Sequence, residues 1–120
     1  MTPEAVAHLA AADRALVRAT GNHSINFPDQ AARLAYYAQF HAAQAMIFER
    51  TGRSAKTHTG VNRQLHKLAK GEPTLRADFA GQLTNAYKHK ELADYDTERF
   101  DTLTLKDAAD AIEVRPVSSP

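Results

Sequence analysis

The chain has 120 residues, 43% of them hydrophobic and 24% charged, with a net charge of +1, a balance that suits one globular domain and excludes a disordered chain. It contains no cysteine, which excludes disulfides and thiolate metal sites, and no apolar run approaches the roughly 18–20 residues that cross a bilayer. The opening Met1-Thr2-Pro3-Glu4 has no basic stretch followed by an apolar core, so no signal peptide is expected and a cytoplasmic, membrane-free protein is.

A first helix is expected from Thr2, a good N-cap, with Pro3 at the first helical position. Val6, Leu9, Ala12, Leu16 and Val17 recur at helical spacing, and the helix is expected to stop near Thr20, with Gly21 or Asn22 as a left-handed cap. His23 to Phe27 reads as a loop. Pro28-Asp29 then opens the most apolar helix, which runs to about Arg50. Leu34, Ala38, His41, Ala45 and Phe48 form one stripe, and Tyr36, Phe40, Ala43 and Ile47 form another beside it. A helix apolar over most of its circumference is the central one, and Thr51-Gly52 ends it.

Thr57 or Thr59 caps a short third helix with Val61, Leu65 and Leu68 on one side and Arg63, Lys67 and Lys70 on the others. Gly71-Glu72-Pro73 is a firm break. The fourth helix is expected from Thr74 to about Tyr95, with Leu75, Phe79, Leu83 and Ala86 as its stripe. One further turn puts Lys90 and Asp94 on that buried side, where charges belong only if paired or functional. Thr104 and Asp107 resemble a capping box for a final helix that carries Leu105, Ala108 and Ile112. Short connections between five helices give an all-α, up-and-down bundle, a single domain over residues 1–113 with a flexible tail at 114–120.

Charge is unevenly spread. Between Arg50 and Lys70 lie six basic side chains, two histidines and no acid, whereas from Asp94 onward seven acids face three bases. Such asymmetry fits a nucleic-acid face, with Arg63 and Lys67 as its contacts; it also fits solvated helices or the paired ends of a dimer. No His-Glu-x-x-His, other metal-spaced cluster or Gly-rich phosphate loop is present, so neither metal nor cofactor is expected.

The segment Ala35-Tyr36-Tyr37-Ala38-Gln39-Phe40-His41-Ala42-Ala43-Gln44-Ala45, followed by Lys56-Thr57-His58-Thr59-Gly60-Val61, resembles the AYYAxFHAAxA…KTHxGV signature of prokaryotic HEPN proteins. Lys90-Glu91-Leu92-Ala93-Asp94-Tyr95-Asp96 is similar to the RxxADYD segment of the same subgroup. The resemblance covers roughly Asp29 to Ile112. It implies a helical bundle, commonly a homodimer, often encoded beside a minimal nucleotidyltransferase in toxin–antitoxin pairs. Many members of the family are metal-independent ribonucleases with an Arg, four to six intervening residues, and a His. In those members Arg stabilises charge on the phosphate and His moves protons. Here the Arg position falls on Lys90, and the nearest His position on Tyr95. Lysine keeps the charge without the bidentate fork, and tyrosine, with a pKa of about 10, is a poor base at neutral pH.

The candidate catalytic residues are therefore Lys90, Asp94, Tyr95 and His41; the candidate binding residues are His58, Tyr37, Arg63 and Lys67. His41 reads either as a core histidine satisfied from another helix or as a cleft residue near Lys90 and Asp94. His58 reads as a loop-locking residue at the start of the third helix, or as a binding residue. Lys90 and Asp94, four apart, are placed to pair. The leading expectation is a nucleotide- or RNA-associated domain, the toxin-like and ribonuclease-related member of a pair; the alternative is a catalytically silent binding or scaffold subunit for a nucleotidyltransferase.

Overall fold

The computed structural model describes residues 1–95 and 103–117. Its elements are α1 (Pro3–Ser24), α2 (Pro28–Thr51), α3 (His58–Ala69), α4 (Phe79–Tyr95) and α5 (Leu105–Ile112). Among the described residues the fold is all-α, a bundle of five helices.

Thr2 caps α1 as its type and position demand: its backbone is extended, and its hydroxyl accepts from the Ala5 N–H at 3.2 Å. The helix then runs a turn past its expected end. Gly21 stays helical with open space around its missing Cβ, and the chain reverses at Asn26, with φ 66°, a residue type that tolerates the left-handed region. This short connection makes α1 and α2 a hairpin.

The stripe that α1 buries differs from the expected one. Ala5, Ala12, Ala15 and Ala19 are buried, while Val6 is 52% and Val17 72% exposed. The reason lies on α2, which also buries a run of alanines: Ala31, Ala35, Ala38 and Ala45. Methyl against methyl lets two helix axes approach closely, and a branched side chain in that seam would force them apart. Val6 and Val17 therefore face outward.

α2 is the central helix and packs against each of the other four. Two of its buried residues are glutamines, each with a backbone partner. Gln39 donates to the Ala111 carbonyl at 2.8 Å, tying down α5. Gln44 clasps Ala55 in the α2–α3 connection from both sides, accepting from its N–H at 3.2 Å and donating to its carbonyl. At the end of α2, Gly52 takes φ 72° and its N–H closes on the Phe48 carbonyl at 2.8 Å, the left-handed termination that glycine permits.

Thr57 caps α3 through the Gly60 N–H at 3.0 Å. α4 starts later than expected, at Phe79, because the N–H of Arg76 bonds the Pro116 carbonyl (2.9 Å) instead of a helical partner. Leu75 is nonetheless buried and forms an isolated bridge with Val117. Of the expected tail, then, Val114 packs on the core and 116–117 lie along Leu75 and Arg76; residues 118–120 fall outside the described ones. The capping box at Thr104 and Asp107 forms as read. Ile47, Val61, Leu65, Phe79 and Leu83 are the largest fully buried side chains, and they join α2, α3 and α4 into one core.

Candidate functional site

Tyr87, Lys90 and Asp94 follow one another at three- and four-residue steps on α4, and Arg33 and Tyr37 stand four apart on α2. These spacings put each set on one helix face. Because α2 and α4 pack together, the two faces meet.

Asp94 sits at the centre. Lys90 Nζ lies 3.0 Å from its carboxylate, and Arg33 Nε bonds the same group from α2. Arg33 also reaches the Ala93 carbonyl at 3.3 Å. The side chains of Lys90, Asp94 and Arg33 are only 14%, 16% and 24% exposed. Burial alone would raise the Asp94 pKa, but the hydrogen bonds from Arg33 and Lys90 outweigh it and hold the carboxyl below its usual range. For Lys90, burial favours the neutral amine. The bond to Asp94 and the neighbouring Asp94 and Glu91 carboxylates reverse this, so its pKa is raised and the ammonium persists.

Tyrosine rings frame the ion cluster. Lys90 Nζ is 6.0 Å from the Tyr87 ring centre and 5.6 Å from that of Tyr95, within the range of cation–π attraction. Tyr95 is 73% and Tyr37 37% exposed, so both offer flat faces to solvent. Chemically, the arrangement is a pair of cations sharing one carboxylate beside aromatic surfaces. An incoming phosphate can exchange with Asp94 on either cation, and a base can stack on a tyrosine.

His58 supports this cluster from below. As the first residue of α3, it shares a hydrogen bond with the Tyr36 hydroxyl through Nδ1 (3.2 Å) and another with Thr84 Oγ1 through Nε2 (3.4 Å). Its ring stacks on Tyr87 with centroids 4.2 Å apart. A neutral imidazole satisfies both bonds, one ring nitrogen donating and the other accepting, and burial lowers its pKa. Thr84 Oγ1 also accepts from Asn62 at 3.0 Å. Desolvation in this packed setting also raises the Tyr36 phenol well above its usual range.

His41 is elsewhere. It turns to α1, where its Nδ1 lies 3.2 Å from Nδ1 of His8; burial, then His8 and Arg14, lowers its pKa. The partner from another helix is thus a second imidazole, and no contact joins His41 to Lys90 or Asp94 among the described residues. Of the sequence candidates, Lys90, Asp94, Tyr95 and Tyr37 come together, with His58 one ring away. Arg63 and Lys67 are exposed on α3, apart from this cluster. Among the described residues no group of three or more His, Asp or Glu is arranged to hold a metal.

Sequence reasoning missed Arg33 and Tyr87. The signal for Arg33 was present in its four-residue offset from Tyr37. Tyr87 stands one turn before Lys90's neighbour Glu91, and it was hidden because the apolar stripe had been followed through Ala86.

The family model for the HEPN domain matches residues 5–115, a span that takes in all or most of every helix, together with the Lys90–Asp94 cluster. No curated protein matches the chain. The chain belongs to the HEPN domain family.

Proposed function

We propose that this HEPN protein is a nucleotide- or RNA-binding subunit that holds a phosphate at Lys90 and Arg33 without cutting it, and that it works beside a minimal nucleotidyltransferase partner. The observation that carries the reading is the make-up of the cluster around Asp94: two cations and several tyrosines, with no imidazole in contact with Lys90 among the described residues. Cleavage through a 2′-hydroxyl requires a group that moves protons near neutrality, and its loss costs roughly 10²–10⁴ in rate. His58 is committed to Tyr36 and Thr84, and His41 to His8. Both imidazoles of the motif thus serve the packing of the bundle.

In this reading the protein is a cytoplasmic homodimer. The exposed rings of Tyr37 and Tyr95 are surface that nucleotide bases or a second copy can cover. Light scattering checks the dimer; a monomer at tens of micromolar counts against it.

A second reading, a toxin-like ribonuclease, is favoured by one observation: Lys90 occupies the motif's arginine position and Arg33 lies beside it, bound to the same carboxylate. One experiment separates the two. Purified protein is incubated with labelled RNAs, with and without EDTA, alongside Lys90→Ala and Arg33→Ala. Retained binding without cleavage by folded wild type supports the silent subunit. Cleavage that survives EDTA and disappears in Lys90→Ala overturns it.

A further inference from the structure

Where α2 gives way to α3, a recess of about 400 Å³ opens between Ile47, Thr51, Arg53, Ser54, Ala55, Gly60, Arg63 and Gln64. Its size lies within the range of small-molecule sites, about 300–1,000 Å³. Among the described residues, Arg53 and Arg63 are the charged ones that line it. Neither has a carboxylate partner among the described residues, whereas Arg50, just before them at the end of α2, is tied to Glu72. Lys56 and Lys67 add positive charge on either side in sequence and are exposed, again with no carboxylate partner among the described residues.

The wall that carries Arg53 is held in place from within the protein. Gln44, 4% exposed, grips the backbone of Ala55 through both ends of its amide. The Thr51 hydroxyl donates to the Ile47 carbonyl at 2.8 Å and accepts from the Arg53 N–H at 3.2 Å. Gly52 in its left-handed conformation sets the direction in which the chain leaves α2. These bonds fix the backbone that carries Arg53 at the edge of the recess before anything enters it, which lowers the ordering cost of binding.

We infer that this recess is an anion site that receives a phosphate group, carried by a free nucleotide or by the end of an RNA strand, and that it is separate from the Lys90–Asp94 cluster. Arg53 and Arg63 grip the phosphate oxygens, since guanidinium matches phosphate in planar, two-pronged geometry. The Ser54 hydroxyl supplies a further donor, and Ala55 gives the attached sugar or base an apolar contact. The positive end of α3 begins beside it and favours the same charge.

The test is titration of the full chain with inorganic phosphate, AMP, and a short RNA carrying either a 5′-phosphate or a 5′-hydroxyl. Wild type, Arg53→Ala, Arg63→Ala, Lys90→Ala and the exposed control Lys88→Ala are compared. The arginines are exposed, so circular dichroism should confirm that each variant folds. Each arginine variant is expected to weaken binding of the phosphorylated probes by about tenfold, with Lys88→Ala unchanged. AMP binding that depends on the two arginines assigns the free nucleotide as the source. A requirement for the 5′-phosphate on RNA, with AMP inert, assigns the strand end. Absence of binding by every probe overturns the inference. So does binding that Lys90→Ala abolishes while both arginine variants keep it; that result leaves the Lys90 reading standing alone.

Discussion

The imidazole of His58 lies nearly parallel to the phenol ring of Tyr87, 14° from coplanar with centroids 4.2 Å apart. Through this stack the start of α3 is coupled to the α4 face that carries Lys90. His58→Ala removes the stack and two hydrogen bonds and should cost about 2 kcal/mol of stability, read as a lower urea midpoint with an unchanged m-value.

The same residue gives a pH dependence of definite sign. Burial holds the His58 pKa below its ordinary value of 6.5, so the unfolded chain binds this proton more readily than the folded one. Its contribution to stability is complete above that value and is lost as pH falls toward the depressed folded pKa. His41, lowered by burial and by His8 and Arg14, acts in the same direction. Denaturation at about pH 8 and about pH 5 should show a smaller loss for His58→Gln than for wild type. Equal losses would locate the effect in His41 alone.

Asp94→Asn leaves Lys90 and Arg33 without their shared counter-charge. Because the group is partly exposed, a loss of about 1–2 kcal/mol is expected, near the lower end for broken ion pairs. The acid side of the stability curve should flatten as well, since the depressed Asp94 pKa contributes stability that disappears as wild type is acidified. Urea denaturation at neutral and acid pH checks both effects.

Gly52→Ala should cost about 1 kcal/mol, because φ is 72° there and a Cβ meets nothing within 4 Å; the penalty is conformational and not a clash. Ala19→Leu should cost about 1–3 kcal/mol by overpacking, since Ala19 is fully buried in the α1–α2 seam. If Ala19→Leu proves neutral by thermal denaturation, the helices are not held at alanine distance.

Caps and breaks were the most legible part of the fold. Thr2, Thr104 with Asp107, and Gly52 act where their chemistry placed them, and of Thr57 and Thr59 it is Thr57 that caps α3, because a cap is decided by residues next to each other in sequence. The burial of α1 was misread because hydropathy favours Val6 and Val17 over alanine, while the deciding quantity was the distance to another alanine-rich helix. The start of α4 was misread for a similar reason: Arg76 bonds a carbonyl forty residues away, at Pro116. Within the site, the pairing of Lys90 with Asp94 follows from their spacing. The third member, Arg33, comes from another helix, and of the two readings of His41 the pairing with another helix is the one found, through His8; neither choice is local.

The alanine seam also inverts which changes α1 should accept over generations. In most helices the branched apolar positions resist substitution and the alanines drift. Here Ala5, Ala12, Ala15 and Ala19 are the positions with no room, whereas Val6 and Val17 stand in the open. Variation should therefore gather at the bulky residues, leaving one flank of the bundle free to diverge while the close join between the first two helices stays fixed.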